Sequence, residues 1–224
     1  MIETKNICVQ FGDFQALKNV TCRIHEKDFI LILGHNGSGK TTLLDTLSGR
    51  ITPSSGKIYR NEKDITHLSQ RKRAVFISRV FQNTHMGSVG NMTVAENLSL
   101  ASLKGKRAGF EAALKNFPTE IVEHTLKPLG LRLEQLLHTP IGMLSGGQRQ
   151  IITIVMATLC EPDLLLLDEP TAALDPLSAD NLLQFVRSFT QTRKTATLMI
   201  THDEKRAQFL ANRTWILQQG YLQA

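Results

Sequence analysis

The chain has 224 residues, of which 42% are hydrophobic and 21% charged, the balance of a chain that folds around a core and not of a disordered or fibrous one. Its 26 basic against 20 acidic residues leave a formal charge of +6, which suits an anionic partner without choosing among nucleotide, nucleic acid and an acidic lipid surface. No apolar run approaches the roughly 20 residues that cross a bilayer, so the chain is not expected to form a membrane channel itself.

Residues 1–5 are charged and lack a signal-peptide pattern, so the chain is expected to stay in the cytoplasm. The three cysteines, Cys8, Cys22 and Cys160, show no CxxC spacing and read as buried free thiols. The basic clusters Arg71-Lys72-Arg73 and 104–107 read as solvated faces.

In chain order, residues 7–9 and 20–24 approximate alternation around a turn at Gly12-Asp13. They predict a small antiparallel β lobe. The apolar run Phe29–Leu33 then leads into Gly34-His35-Asn36-Gly37-Ser38-Gly39-Lys40-Thr41 and a helical pattern beginning at Thr42. This is a phosphate-binding P-loop at every fixed position, in the strand-loop-helix context that the motif needs. Its glycines let backbone N–H groups turn inward, and the helix N-terminus adds partial positive charge. Lys40 can then neutralise the β- and γ-phosphates of a nucleotide, and the Thr41 hydroxyl can ligate magnesium.

Between Thr93 and Gln135 strand patterns give way to helical ones, opened by a Thr93-x-x-Glu96 capping box. The expectation is a helical subdomain inserted over residues 83–142. Leu144-Ser145-Gly146-Gly147-Gln148 precedes an apolar-rich run, which places a serine cap and two glycines at a helix start. Residues 164–167 are all leucine and end in Asp168 and Glu169, as in a buried parallel strand whose C-terminal end opens at a site. Adjacent strand residues face opposite ways, so one carboxylate can hold magnesium while the other faces an attacking water. Residues 197–200 form another strand pattern, and residues 215–217 and 221–222 flank Gly220 like a closing hairpin. Strands followed by helices imply an α/β fold with a parallel sheet. A single domain over residues 1–224 is expected, with no internal repeat and no regulatory C-terminal domain.

The motifs GHNGSGKTT, LSGGQ and LLLLDEP, in this order and separation, resemble the ATP-binding cassette family over the whole chain. The resemblance implies an ATPase that is the motor of a transporter, with ATP and Mg²⁺ as cofactors and a P-loop NTPase core. It implies that Gly34 to Thr42 cradle the phosphates and that Asp168 holds magnesium. Glu169 polarises the water, Gln82 touches magnesium and water while joining the core to the helical subdomain, and His202 contacts the γ-phosphate. By the same resemblance Phe11 stacks on adenine, although its position equally suits a core phenylalanine. Ser145, Gly146, Gly147 and Gln148 of one copy reach the nucleotide held by a second, head-to-tail copy, and Asp175 couples the two sites.

The stretch Val80-Phe81-Gln82 through Met92-Thr93-Val94-Ala95-Glu96-Asn97-Leu98 looks like the motors of amino-acid uptake systems. That likeness implies an integral membrane permease, a separate solute-binding protein, a place at the cytoplasmic face of the inner membrane, and no nucleic-acid partner. An exporter of lipid or lipoprotein would share every catalytic position. A non-transport member would carry long coiled coils or a second cassette, which the chain lacks.

Overall fold

Four leucines in a row fit a strand only if both of its faces are covered, and the computed structural model, which describes residues 1–103 and 119–223, shows how. Among the described residues the larger sheet has the order β10-β9-β3-β8-β7-β6. Its strands are β3 (Phe29–Leu33), β6 (Ile77–Val80), β7 (Leu164–Asp168), β8 (Ala196–Ile200), β9 (Arg213–Gln218) and β10 (Tyr221–Gln223). Neighbours are parallel except β10, which returns antiparallel to β9. Leu164 and Leu166 enter one buried cluster with Ile30, Ile32, Leu198 and Ile200. Leu165 and Leu167 enter the other with Phe29, Leu31 and Met199. A strand whose residues alternate between two cores must be apolar throughout, because it has no solvent face to fill with polar residues.

The antiparallel lobe is a second sheet, in the order β2-β1-β4-β5, from β1 (Ile2–Phe11), β2 (Phe14–Ile24), β4 (Ser55–Arg60) and β5 (Lys63–Asp64). The turn at Gly12-Asp13 falls between its first two strands. This sheet and helix α1 (Lys40–Ser48) contribute to the first cluster through Ile7, Val9, Leu17, Leu43, Leu44 and Leu47. A short helix, α2 (Gln70–Arg73), follows the lobe.

Between Gln82 and Ser145 the described residues form helix α3 (Val94–Ser102) and short helical turns over residues 119–143. The Thr93 hydroxyl accepts from Glu96 N–H at 3.2 Å while the Glu96 carboxylate accepts from Thr93 N–H at 2.7 Å, the reciprocal cap expected from the sequence. The two ends of the segment are sewn together where Gly142 N–H donates to Gly90 O at 2.9 Å and Ile141 N–H donates to Met92 O at 2.9 Å. Helices α4 (Gly146–Thr158) and α5 (Pro176–Thr192) cover the second cluster, and the short α6 (Glu204–Gln208) follows β8.

Two expectations from the sequence need correction. Arg73 is wholly buried and not solvated; its guanidinium donates to the carbonyls of Thr46, Leu47, Thr66 and Leu68 at 2.7 to 3.1 Å. Thr46 and Leu47 belong to the last turn of α1, where carbonyls lack the i+4 N–H of a helix interior and Thr46 O has only the long bond from Gly49 N–H at 3.2 Å, so a cation there supplies hydrogen bonds and complements the helix dipole. Arg71 and Lys72 are exposed as expected, and residues 104–107 lie outside the described residues. Of the three free cysteines only Cys22 is fully buried, its thiol pushed up to about 11 by desolvation, whereas Cys8 and Cys160 are partly exposed.

Candidate active site

The C-terminal ends of β3, β7 and β8 open on one cleft of about 370 Å³, where parallel α/β sheets bind their ligands. From the residues singled out in the sequence it collects Phe11, Asn36, Gly37, Gly39, Lys40, Thr41, Thr42, Gln82, Asp168, Glu169 and His202. Gly34, His35 and Ser38 complete the loop without facing the cleft.

The loop owes its shape to close backbone approaches. Gly39 sits at φ 105 with Ala16 O only 2.6 Å from where a Cβ would be, and a Cβ on Gly34, at φ 148, would collide with the carbonyl of Leu217. Side chains are excluded at both positions by conformation and by space. The C-terminal hairpin thus forms the back of the loop, and Gly220 N–H also donates to Ser38 O at 3.1 Å. Lys40, at the first position of α1, donates to the carbonyls of Gly34 and His35 at 2.6 and 3.0 Å. Its ammonium therefore lies across the mouth of the loop.

Asp168 and Glu169 do separate, but by a turn of the backbone and not by strand alternation alone. Asp168 ends β7, while Glu169 lies beyond it at φ 50, held there by its N–H donating to Ile200 O at 3.0 Å. A non-glycine residue in the left-handed region is strained. The turn aims the Glu169 carboxylate at the end of β8, where it accepts from His202 N–H at 3.1 Å and lies 3.3 Å from His202 Nε2.

Burial pushes the Glu169 carboxyl above the usual carboxylate range, against a smaller lowering by the His202 N–H. Burial also raises Asp168, opposed first by the Arg79 guanidinium and then by the Thr41 hydroxyl. Beside Glu169, the residues lining the cleft that could hold a cation carry oxygens: the Asp168 carboxylate, the Thr41 hydroxyl and the Gln82 amide. A set of hard donors with a single carboxylate among them suits Mg²⁺ bound together with a phosphate-bearing ligand.

Phe11 is half exposed and lines the cleft, so it is not a core residue. Phe14 beside it, still more exposed, was not singled out from the sequence, although an aromatic residue on each side of the Gly12-Asp13 turn is a readable signal. Arg79 was also missed. Its signal is a charge inside an otherwise uncharged strand immediately before Gln82.

Ser145, Gly146, Gly147, Gln148 and Asp175 are not brought to the cleft. Ser145 caps α4, accepting from Gln148 N–H at 3.2 Å while its own N–H donates to the Gln148 side chain at 3.1 Å. Ser145 and Gly146 are exposed. Asp175 caps α5, accepting from the N–H groups of Leu177 and Ser178 at 3.1 and 3.0 Å. A Cβ on Gly147 would lie 2.9 Å from Ala173 O, so the two capped helix starts are packed together. Arg149, also missed, fastens the loop before Ser145 by donating to the carbonyls of Ile141, Gly142 and Leu144.

A phosphate loop on a parallel sheet, facing one buried carboxylate at the end of a strand and a second in the turn just beyond it, defines a nucleoside triphosphatase of the P-loop class. The family model described as ABC transporter matches residues 17–172. The chain belongs to this family and is one of its ATP-binding subunits, an ATPase whose hydrolysis is coupled to transport. It is 38% identical to the tyrosine transport ATP-binding protein of Clostridioides difficile, over 98% of this chain and 89% of that protein. It is 33% identical to the putative hemin import ATP-binding protein HrtA of Staphylococcus haemolyticus, over 99% of each. Identity to the sulfate/thiosulfate import ATP-binding protein CysA of Methylococcus capsulatus is 35%, and there the chain spans only 62% of that protein's length. Among solved structures, a bacterial ABC transporter cassette determined as a dimer superposes with a TM-score of 0.85 at 28% identity, over 100% of this chain and 97% of that one. A dimeric cassette in a post-hydrolysis state, bound to ADP and Pi, superposes with a TM-score of 0.84 at 27% identity, over the same shares.

Among the described residues no helix is long and apolar enough to cross a membrane.

Proposed function

We propose that this chain is the motor of an importer for a small solute, an amino acid in the first instance, working at the cytoplasmic face of the membrane with a separate permease and a solute-binding protein. The observation that carries the motor reading is the single cleft in which Lys40, Thr41, Asp168, Glu169 and His202 meet. The amino-acid reading is supported by the 38% identity to a tyrosine transport ATP-binding protein, which extends over nearly the whole chain.

In this reading the N–H groups of the P-loop and the Lys40 ammonium bind the β- and γ-phosphates. Phe11 and Phe14 offer exposed rings to the base. Thr41, Asp168 and Gln82 hold Mg²⁺, which supplies neutralisation of phosphate charge. Glu169 takes the proton of the attacking water, and burial suits it to that task by making it a stronger base than an exposed carboxylate. His202 keeps the carboxylate oriented and faces the γ-phosphate. The start of α4, with the exposed Ser145 and Gly146 and the partly exposed Gly147 and Gln148, completes the site of a second copy, and the two-fold relation makes the two sites equivalent.

Co-purification of the chain with its membrane partner, followed by uptake into vesicles against a panel of amino acids with the solute-binding protein supplied, tests this. ATP-dependent accumulation of an amino acid is the expected result. Recovery of an export-type permease, or of no membrane protein, overturns the import reading and leaves the ATPase standing.

A further inference from the structure

Arg79 is the one charged residue of β6, and its side chain is buried to 4% exposure between two acids. Its Nη1 lies 2.7 Å from Asp45 Oδ1 and its Nη2 donates to Asp168 Oδ2 at 3.1 Å. Asp45 projects from α1, the helix that the P-loop opens, and Asp168 from the end of β7. The guanidinium also lies 4.9 Å from the ring of Phe81, the residue before Gln82. A full positive charge is thus fastened directly to the carboxylate proposed to hold the divalent cation, and Lys40 adds another in the same cleft.

We propose that Arg79 is a positioning residue that competes with the divalent cation for Asp168, so that the site takes up metal only together with nucleotide. This rests on the reading of Asp168 as a metal ligand. Asp45 has a definite part in it: by sharing the guanidinium it leaves Arg79 only half committed to Asp168. A metal entering alone meets the charges of Arg79 and Lys40 in a partly desolvated site, where like-charge repulsion is weakly screened. The triphosphate brings the negative charge that offsets both. A neighbour of a metal ligand ordinarily strengthens the site, and its loss costs about 10- to 100-fold in affinity. Here the neighbour is a cation, so its loss has the opposite sign.

The test is Mn²⁺ binding to the full chain without nucleotide, followed by electron paramagnetic resonance, in wild type, Arg79→Met, Arg79→Gln and Arg79→Lys. Arg79→Met is expected to bind Mn²⁺ about tenfold more tightly than wild type, by the same scale with the sign reversed. Arg79→Gln should do the same and provides the readout if the methionine variant does not fold. Arg79→Lys keeps the charge and should stay weak, like wild type. A merely structural role predicts weaker or unchanged binding in all three, and that result, or lysine and glutamine behaving alike, overturns the proposal. Adding Asp168→Asn to Arg79→Gln should abolish the gain. A gain that survives shows that the metal does not use Asp168, in which case the site reading itself has failed.

Discussion

Glu169 carries opposing demands, since the fold shelters a charge that its proposed part in hydrolysis needs exposed to water. Its glutamine variant keeps the shape and loses the base, so Glu169→Gln is expected to bind ATP like wild type while turnover falls by about 10²- to 10⁴-fold. Single-turnover kinetics beside nucleotide titration separates the two. Burial raises the folded pKa of this carboxyl above its unfolded value. Its contribution to stability is therefore fully present below the unfolded pKa and is lost as pH rises through the folded one. Two consequences share that sign. Turnover should fall as pH drops through the raised pKa, and at neutral pH Glu169→Gln should melt about 2–4 °C above wild type. The gap should close in acid, where both side chains are neutral, and a gap that persists there would remove the desolvation account. Lys40 makes a simpler case. Lys40→Ala removes the cation that lies across the loop mouth, and nucleotide titration should show binding lost.

At the scale of elements, Arg73 shows what a sequence conceals. It stands in a run of three basic residues, and nothing local separates it from its exposed neighbours. Its burial follows from the packing of α1 against the segment 66–73, a tertiary arrangement that no window of sequence contains. Removing it takes the guanidinium donor from the carbonyls of Leu47, Thr66 and Leu68 and leaves Thr46 O with the Gly49 N–H alone. Arg73→Met should therefore lose about 3 kcal/mol in urea unfolding, with nucleotide affinity altered little in the protein that remains folded. The strands and caps were legible for the opposite reason, because their signals are short-range. Four successive leucines require two covered faces, Thr93 with Glu96 closes a reciprocal cap, and a P-loop needs its glycines wherever it occurs. Arg79 falls between these cases. Its charge in a strand was visible, but its two carboxylate partners, Asp45 and Asp168, come from α1 and the end of β7, and only the fold joins them to it.

At the scale of the whole molecule, the Ser145 and Asp175 caps lie outside the cleft that their own chain builds. Glu169→Gln with saturating MgATP should run as a dimer in size-exclusion chromatography, while the protein with ADP runs as a monomer. A monomer in both states would leave the exposed Ser145 and Gly146 without a second site to complete.

The backing of the P-loop by the C-terminal hairpin bears on the order in which the site is made. Residues 34–41 are synthesised well before Leu217 and Gly220, against which Gly34 and Ser38 rest. A nascent chain stalled before Arg213 carries the P-loop, Gln82, Asp168, Glu169 and His202 and still lacks the wall that shapes the loop. Such chains should not be retained on ATP resin, whereas chains extended past Tyr221 and released should be, so that nucleotide binding reports that the hairpin has joined its sheet.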